Sequence, residues 1–156
     1  MENAVKERPS LSLTRNYDVP PEKVWQAWTD AQAVKSWFAP NEAFSVPEAE
    51  LDVRVGGRYR IVMQKPVGAP TGDQCGGGRN EVSGVYKEVI PNRKLVFTWA
   101  WSGTPERESL VTLTLRAIGS GTELTLKHEQ FADEETRGMH NEGWTGCLDH
   151  LGRFLA

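Results

Sequence analysis

Apolar and polar residues alternate along most of this chain, and the places where the period changes divide it into elements. Leu11-Ser-Leu-Thr-Arg-Asn-Tyr17 has the period of two that predicts a strand. The period shifts at Pro20-Pro21-Glu22, which opens a helix with Val24, Ala27 and Trp28 on one face, because proline is tolerated in a first turn whose N–H groups lack partners. Asp30 is placed to cap a second short helix that ends near Trp37-Phe38, with Pro40 as its stop. From Ala49 the period is two again. Ala49, Leu51, Val53 and Val55 alternate with Glu50, Asp52 and Arg54, one face buried and one wet, as in an antiparallel sheet. Gly56-Gly57 predicts a tight turn into Arg58–Met63, in which Tyr59, Ile61 and Met63 share a face. Three more strands are expected around Val82–Ile90, Lys94–Trp101 and Glu108–Ala117, divided by Pro91-Asn92 and by Ser102-Gly-Thr-Pro105. A last strand runs from Thr122 to Gln130 after Gly119-Ser-Gly121.

Asp133 then reads as the N-cap of a helix reaching Leu155, about 34 Å long at 1.5 Å per residue and so able to cross a sheet. Arg137, His140, Trp144, Cys147, Leu148, Leu151, Phe154 and Leu155 fall within an arc of about 120°, the width of a core-facing stripe. The helix is therefore expected to lie on the sheet as a lid. Gly138, Gly143, Gly146 and Gly152 each cost about 0.5–1 kcal/mol relative to alanine in a helix interior, so packing must stabilise it. Gly143 and Gly152 flank the apolar arc and suit a close approach of helix to sheet.

Composition narrows the class. A chain of 156 residues without a break in composition is read as one domain, residues 11–156, after a flexible N-terminus at 1–10. At this length it can bury about 70 % of its unfolded surface. A net charge of −3 with interspersed signs provides no basic field for nucleic acid or an anionic membrane surface. No apolar run approaches the length of a membrane span, and MENAVKERPS lacks the apolar stretch of a signal peptide, so a cytoplasmic protein is expected. Cys75 and Cys147 have no paired spacing and read as reduced thiols. Lys65 to Arg79, with Gly76-Gly77-Gly78, reads as a mobile loop. It lacks the lysine and hydroxyl residue of a phosphate-binding loop.

The motifs carry a resemblance. Val24-Trp25-x-Ala27-Trp28-Thr29-Asp30, Trp37-Phe38 and Val55-Gly56-Gly57-x-Tyr59-Arg60 are followed by Gly84-x-Tyr86-x-Glu88-Val89-x-Pro91-x-x-x-Leu95-Val96-Phe97-Thr98-Trp99 and His140-x-x-Gly143-Trp144-x-x-x-Leu148. In this order they resemble the AHSA-type proteins, named for the heat-shock-protein ATPase activator, within the START and birch-pollen-allergen (SRPBCC) superfamily. The resemblance spans Leu11 to Leu155. It implies an α+β helix-grip fold, in which a curved antiparallel sheet, two short helices and a long C-terminal helix enclose a cavity for a small hydrophobic molecule. The superfamily includes lipid carriers, polyketide cyclases, self-resistance proteins and co-chaperone domains, so the fold alone selects no function. Val67 to Arg79 is longer and richer in glycine than the compact turn the family pattern suggests, and the extra N-terminal domain of eukaryotic co-chaperones is not expected here.

Candidate site residues follow from the inward positions. Tyr59 and Met63, then Tyr86, then Trp99 and Trp101, then His128, and finally His140 and Trp144 on the lid are expected to line a ligand site. His128 and His140 are the groups able to donate, accept or titrate near neutrality. His150 falls about 120° from Trp144 and is expected at the surface. His140 and Cys147 lie ~10 Å apart along the helix axis, too far for one zinc ion, and Cys147 with His150 has no evident third ligand, so no metal is assigned. Glu48, Glu50 and Asp52 read as a solvated face with Arg54. No cofactor is called for. The inner face favours a binding protein for a small hydrophobic or aromatic molecule, and no reaction is assigned. Two alternatives stand beside it: a polyketide cyclase or dehydratase-like enzyme with a cavity histidine as acid or base, and a chaperone-interaction module. A homodimer stays open.

Overall fold

The computed structural model describes residues 9–39, 44–64 and 79–156. Strand β1 (Leu11–Tyr17) leads into helices α1 (Pro21–Thr29) and α2 (Ala31–Trp37). Six strands follow: β2 (Ser45–Leu51), β3 (Arg58–Gln64), β4 (Arg79–Ile90), β5 (Lys94–Trp101), β6 (Ser109–Ile118) and β7 (Gly121–Glu129). Helix α3 (Glu134–Leu155) ends the chain. The seven strands form one antiparallel sheet in the order β1-β7-β6-β5-β4-β3-β2, curled into a half-barrel. Its edges are β1 and β2, and α1 with α2 connects them in sequence. This is the helix-grip architecture.

Local chemistry sets the elements. Pro21 occupies the first turn of α1, and the Asp30 carboxylate accepts from the Gln32 N–H at 3.1 Å, capping α2 as its position in the sequence implied. Asp133 caps α3 by accepting from the Thr136 N–H at 2.8 Å. The buried stripe of α3 is Trp144, Cys147, Leu148 and Leu151. Tyr17 ties that stripe to β1, donating its hydroxyl to the Leu148 carbonyl at 2.9 Å, while its ring passes Gly152 so closely that a Cβ there would meet it at 3.4 Å. On β4, a Cβ at Gly84 would stand 2.0 Å from the Thr98 carbonyl oxygen, so two backbones meet where only glycine fits. That same carbonyl accepts the Tyr59 hydroxyl at 2.6 Å.

Several expectations are corrected. The second strand begins at Ser45 and stops at Leu51, so Val53 and Val55 lie in the following turn, and Val55 is 65 % exposed. The alternation continued past the strand because the turn is wide: Asp52 N–H bonds Arg58, whereas Gly56 N–H reaches across to the Tyr86 carbonyl. Phe154 is exposed rather than core-facing, because it falls at the edge of the stripe, while Leu155 beside it still packs against the core. His150 is half-buried, with Nδ1 donating to the Ala39 carbonyl at 2.7 Å. On the outer face Glu48, Glu50 and Glu81 converge on Arg60, and Arg54 pairs with Asp52. Arg79 starts β4 and does not belong to a loop, whereas Lys65 to Gly78, Pro40 and residues 1–8 lie outside the described residues.

Candidate functional site

Rings fill the middle of the grip. Trp28 and Trp37 meet edge-on with centroids 4.9 Å apart, Trp28 lies 6.0 Å from Trp144, and Trp144 lies 4.9 Å from Trp99. Phe38 stands against Trp144 at 5.7 Å. Beside Tyr59, Tyr86 and Phe97 a void of about 20 Å³ remains, too small for an organic ligand. The central helix-to-sheet interface is thus a packed core.

Larger free space lies at one end of that interface, under the first turns of α3. A cavity of about 370 Å³ is walled by Trp99 and Trp101 of β5, Phe131 before α3, and Met139 and His140 on α3, with Asn80 of β4 among its lining residues. Arg107 stands at its rim, 3.8 Å from Asp133 and 3.4 Å from the Thr136 hydroxyl. Another hollow of about 400 Å³ lies outside the grip, between α2, β2 and the end of α3, and none of the eight residues expected to line a ligand site borders it.

Two linked hydrogen-bond systems organise the first cavity's wall. The His140 Nδ1 lies 2.8 Å from the Thr136 carbonyl, which can only accept, so Nδ1 carries the proton and Nε2 is bare. Nε2 then accepts from the Trp101 indole at 3.0 Å and from the Trp99 indole at 3.3 Å. Deeper in, His128 Nδ1 accepts from the Trp144 indole at 3.0 Å, which places its proton on Nε2. That N–H donates to Ser109 Oγ at 2.7 Å, and Ser109 donates in turn to the Trp99 carbonyl at 3.2 Å. Burial pushes the pKa of His128 well below its usual value, and the neighbouring His140 lowers it further. Burial also lowers that of His140, opposed by the bond to Thr136. Both rings are neutral at pH 7, and all four ring nitrogens are engaged.

Residues 18–156 match the family described as Activator of Hsp90 ATPase homolog 1-like protein. The chain belongs to this family. Solved structures agree. An AHSA1 protein from Silicibacter pomeroyi is 30% identical, with 93% of this chain and 96% of that one covered and a TM-score of 0.77. A protein from Chromobacterium violaceum is 24% identical over 94% of this chain and 97% of its own, also with a TM-score of 0.77. CalU16 from Micromonospora echinospora is 29% identical, covering 94% and 76%, with a TM-score of 0.67. No curated protein matches the chain.

Set into this family member, the eight residues expected to line a ligand site divide. Trp99, Trp101 and His140 line the 370 Å³ cavity, whereas Tyr59 and Tyr86 line the small void, which Trp99 also borders. Met63, His128 and Trp144 line neither, and all three are core residues. The cavity also uses residues that the sequence reading passed over: Asn80, Phe131 and Met139. Asn80 carried a legible signal, since Asn80, Val82, Gly84 and Tyr86 share the inner face of β4 and a polar member of such a row is conspicuous. Phe131 and Met139 had none, because their place depends on where α3 begins relative to β7. Among the described residues, no three of His, Cys, Asp and Glu come together to hold a metal ion, and no helix is long and apolar enough to cross a membrane. The Cys147 thiol is buried, which raises its pKa.

Proposed function

We propose that this protein binds a small hydrophobic or aromatic molecule without transforming it, in the cavity beneath the N-terminal half of α3. One observation carries the reading: a space of about 370 Å³ is walled in part by two indoles, a phenyl ring and a methionine, and both indole N–H groups are taken up by His140. The volume falls within the range of ligand sites, about 300–1,000 Å³, and paired indole N–H groups leave an aromatic surface that binds by contact. The enzymatic alternative has His140 at the wall in its favour. Against it, a general base needs a free lone pair within reach of a substrate proton, and His140 Nε2 already accepts two indoles. His128 is fully buried and lines neither the cavity nor the small void. The chaperone-module alternative needs a broad apolar patch. Among the described residues the large exposed hydrophobic side chains are Val55 in a turn, Ile90 and Ile118 at the ends of β4 and β6, and Phe154 near the end of α3.

The test is occlusion. Native mass spectrometry and thermal shift against a library of aromatic and lipid-like compounds should find binders for the wild type. Met139→Trp, which fills the cavity from a half-buried helix position, should abolish them at an unchanged melting temperature. Retention of every binder by the Met139→Trp protein would refute this placement.

A further inference from the structure

The cavity wall contains one buried polar side chain whose hydrogen-bonding capacity is unspent. Asn80 sits at the start of β4, opposite Met63 of β3, on the inner face that continues through Val82 and Tyr86. It is only 6% exposed, and its side-chain amide nitrogen is buried without a hydrogen-bond partner. Leaving such a group unsatisfied costs about 1–3 kcal/mol, and native structures contain few of them, so each calls for an explanation. The histidine, the buried serine and the charged side chains around the cavity are engaged, and the Ser102 and Thr104 hydroxyls lie on the outer turn rather than in the buried wall. His140 bonds two indoles, Ser109 bonds His128 and the Trp99 carbonyl, and Glu81 turns outward to Arg60. Arg107, at the rim, faces Asp133 and Thr136.

Resting on the binding reading above, we infer that Asn80 is the polar anchor of the site, and that the ligand is an uncharged aromatic molecule with a hydroxyl or carbonyl oxygen directed at it. Three features define this class. The walls of Trp99, Trp101 and Phe131 suit a flat ring. A carboxamide offers N–H or C=O after a half-turn about its last bond, so it can serve a phenol or a ketone equally. Among the described residues no cation is directed to the interior: the Arg107 charge lies at the rim and is already opposed by Asp133, so an ionised ligand would lose its hydration without a compensating partner. The specificity residue is therefore the asparagine that the sequence reading passed over, and the histidines serve to hold the wall.

Calorimetric titration with naphthalene, 1-naphthol, 1-acetonaphthone and 1-naphthoate separates the elements of this inference. The wild type should bind the naphthol and the ketone about tenfold more tightly than naphthalene, the worth of one well-made buried hydrogen bond, and naphthoate more weakly than either. Asn80→Leu, which keeps the volume and removes the amide, should bind all three uncharged probes alike, with naphthalene affinity kept or improved and a melting temperature equal or higher. Asn80→Val is a second variant suited to a strand. Equal binding of naphthalene and naphthol by the wild type would overturn the anchor while leaving the cavity reading standing, and so would a preference that survives Asn80→Leu. Tightest binding of naphthoate would transfer specificity to Arg107 and also overturn it. No binding of any probe, together with an empty library screen, would remove both readings.

Discussion

The Trp144 indole donates to Nδ1 of His128 across 3.0 Å, and this one bond joins the lid helix to the last strand of the sheet while fixing which nitrogen of the imidazole holds the proton. Neither group is accessible: His128 is 0 % exposed and Trp144 2 %. The pair is best described as a polar pin through an aromatic core.

Trp144→Ala should therefore behave as a core truncation. It removes a ring packed on Trp28, Phe38 and Trp99 and leaves His128 Nδ1 without a donor, so a loss of about 3–5 kcal/mol is expected. Denaturant midpoints with and without a cavity ligand measure it, and the loss should be the same in both. A cost below about 1 kcal/mol would mean that the helix face is placed wrongly.

Stability should fall on mild acidification. The folded-state pKa values of His128 and His140 lie below the ordinary 6.5, so the unfolded chain binds protons that the folded one resists. The stabilisation is then complete above pH 6.5 and declines as pH drops toward the folded values, with a limiting slope of about 1.4 kcal/mol per pH unit for each histidine. Urea midpoints between about pH 8 and pH 5.5 cover the window before most carboxylates titrate. His140→Gln removes one of the two groups and should reduce the slope by about half. A flat profile across that range would contradict the buried neutral pair.

Gly84→Ala should destabilise by at least about 2 kcal/mol, because a Cβ cannot stand 2.0 Å from a carbonyl oxygen and β4 would have to part from β5. The same shift would break the Tyr59 bond to Thr98, so tyrosine absorbance or near-ultraviolet dichroism should change with stability. Gly138→Ala is the control: a Cβ there meets nothing within 4 Å, and the exchange should be neutral or stabilising in a helix.

The residue pattern determined the fold, because each element carries its own period. The alternation at Leu11–Tyr17 and Lys94–Trp101 matches those strands residue for residue, and the caps at Asp30 and Asp133 fix two helix starts through local bonds that need no tertiary context. Inward-facing rows on β5 and α3 were legible for the same reason. The period of two continued through Val53 and Val55 although the strand did not, since where a strand ends depends on what its neighbour offers for pairing. The site depended still more on packing. Periodicity shows that Trp99, Trp144 and His128 face inward, but not whether inward means a void or a neighbouring ring, and only the approach of α3 to the sheet decides that. It packed Trp144 and His128 into solid core, opened the cavity one turn further along at Trp101 and His140, and left Asn80 beside it without a partner, because space is set by distances between elements that are remote in the chain.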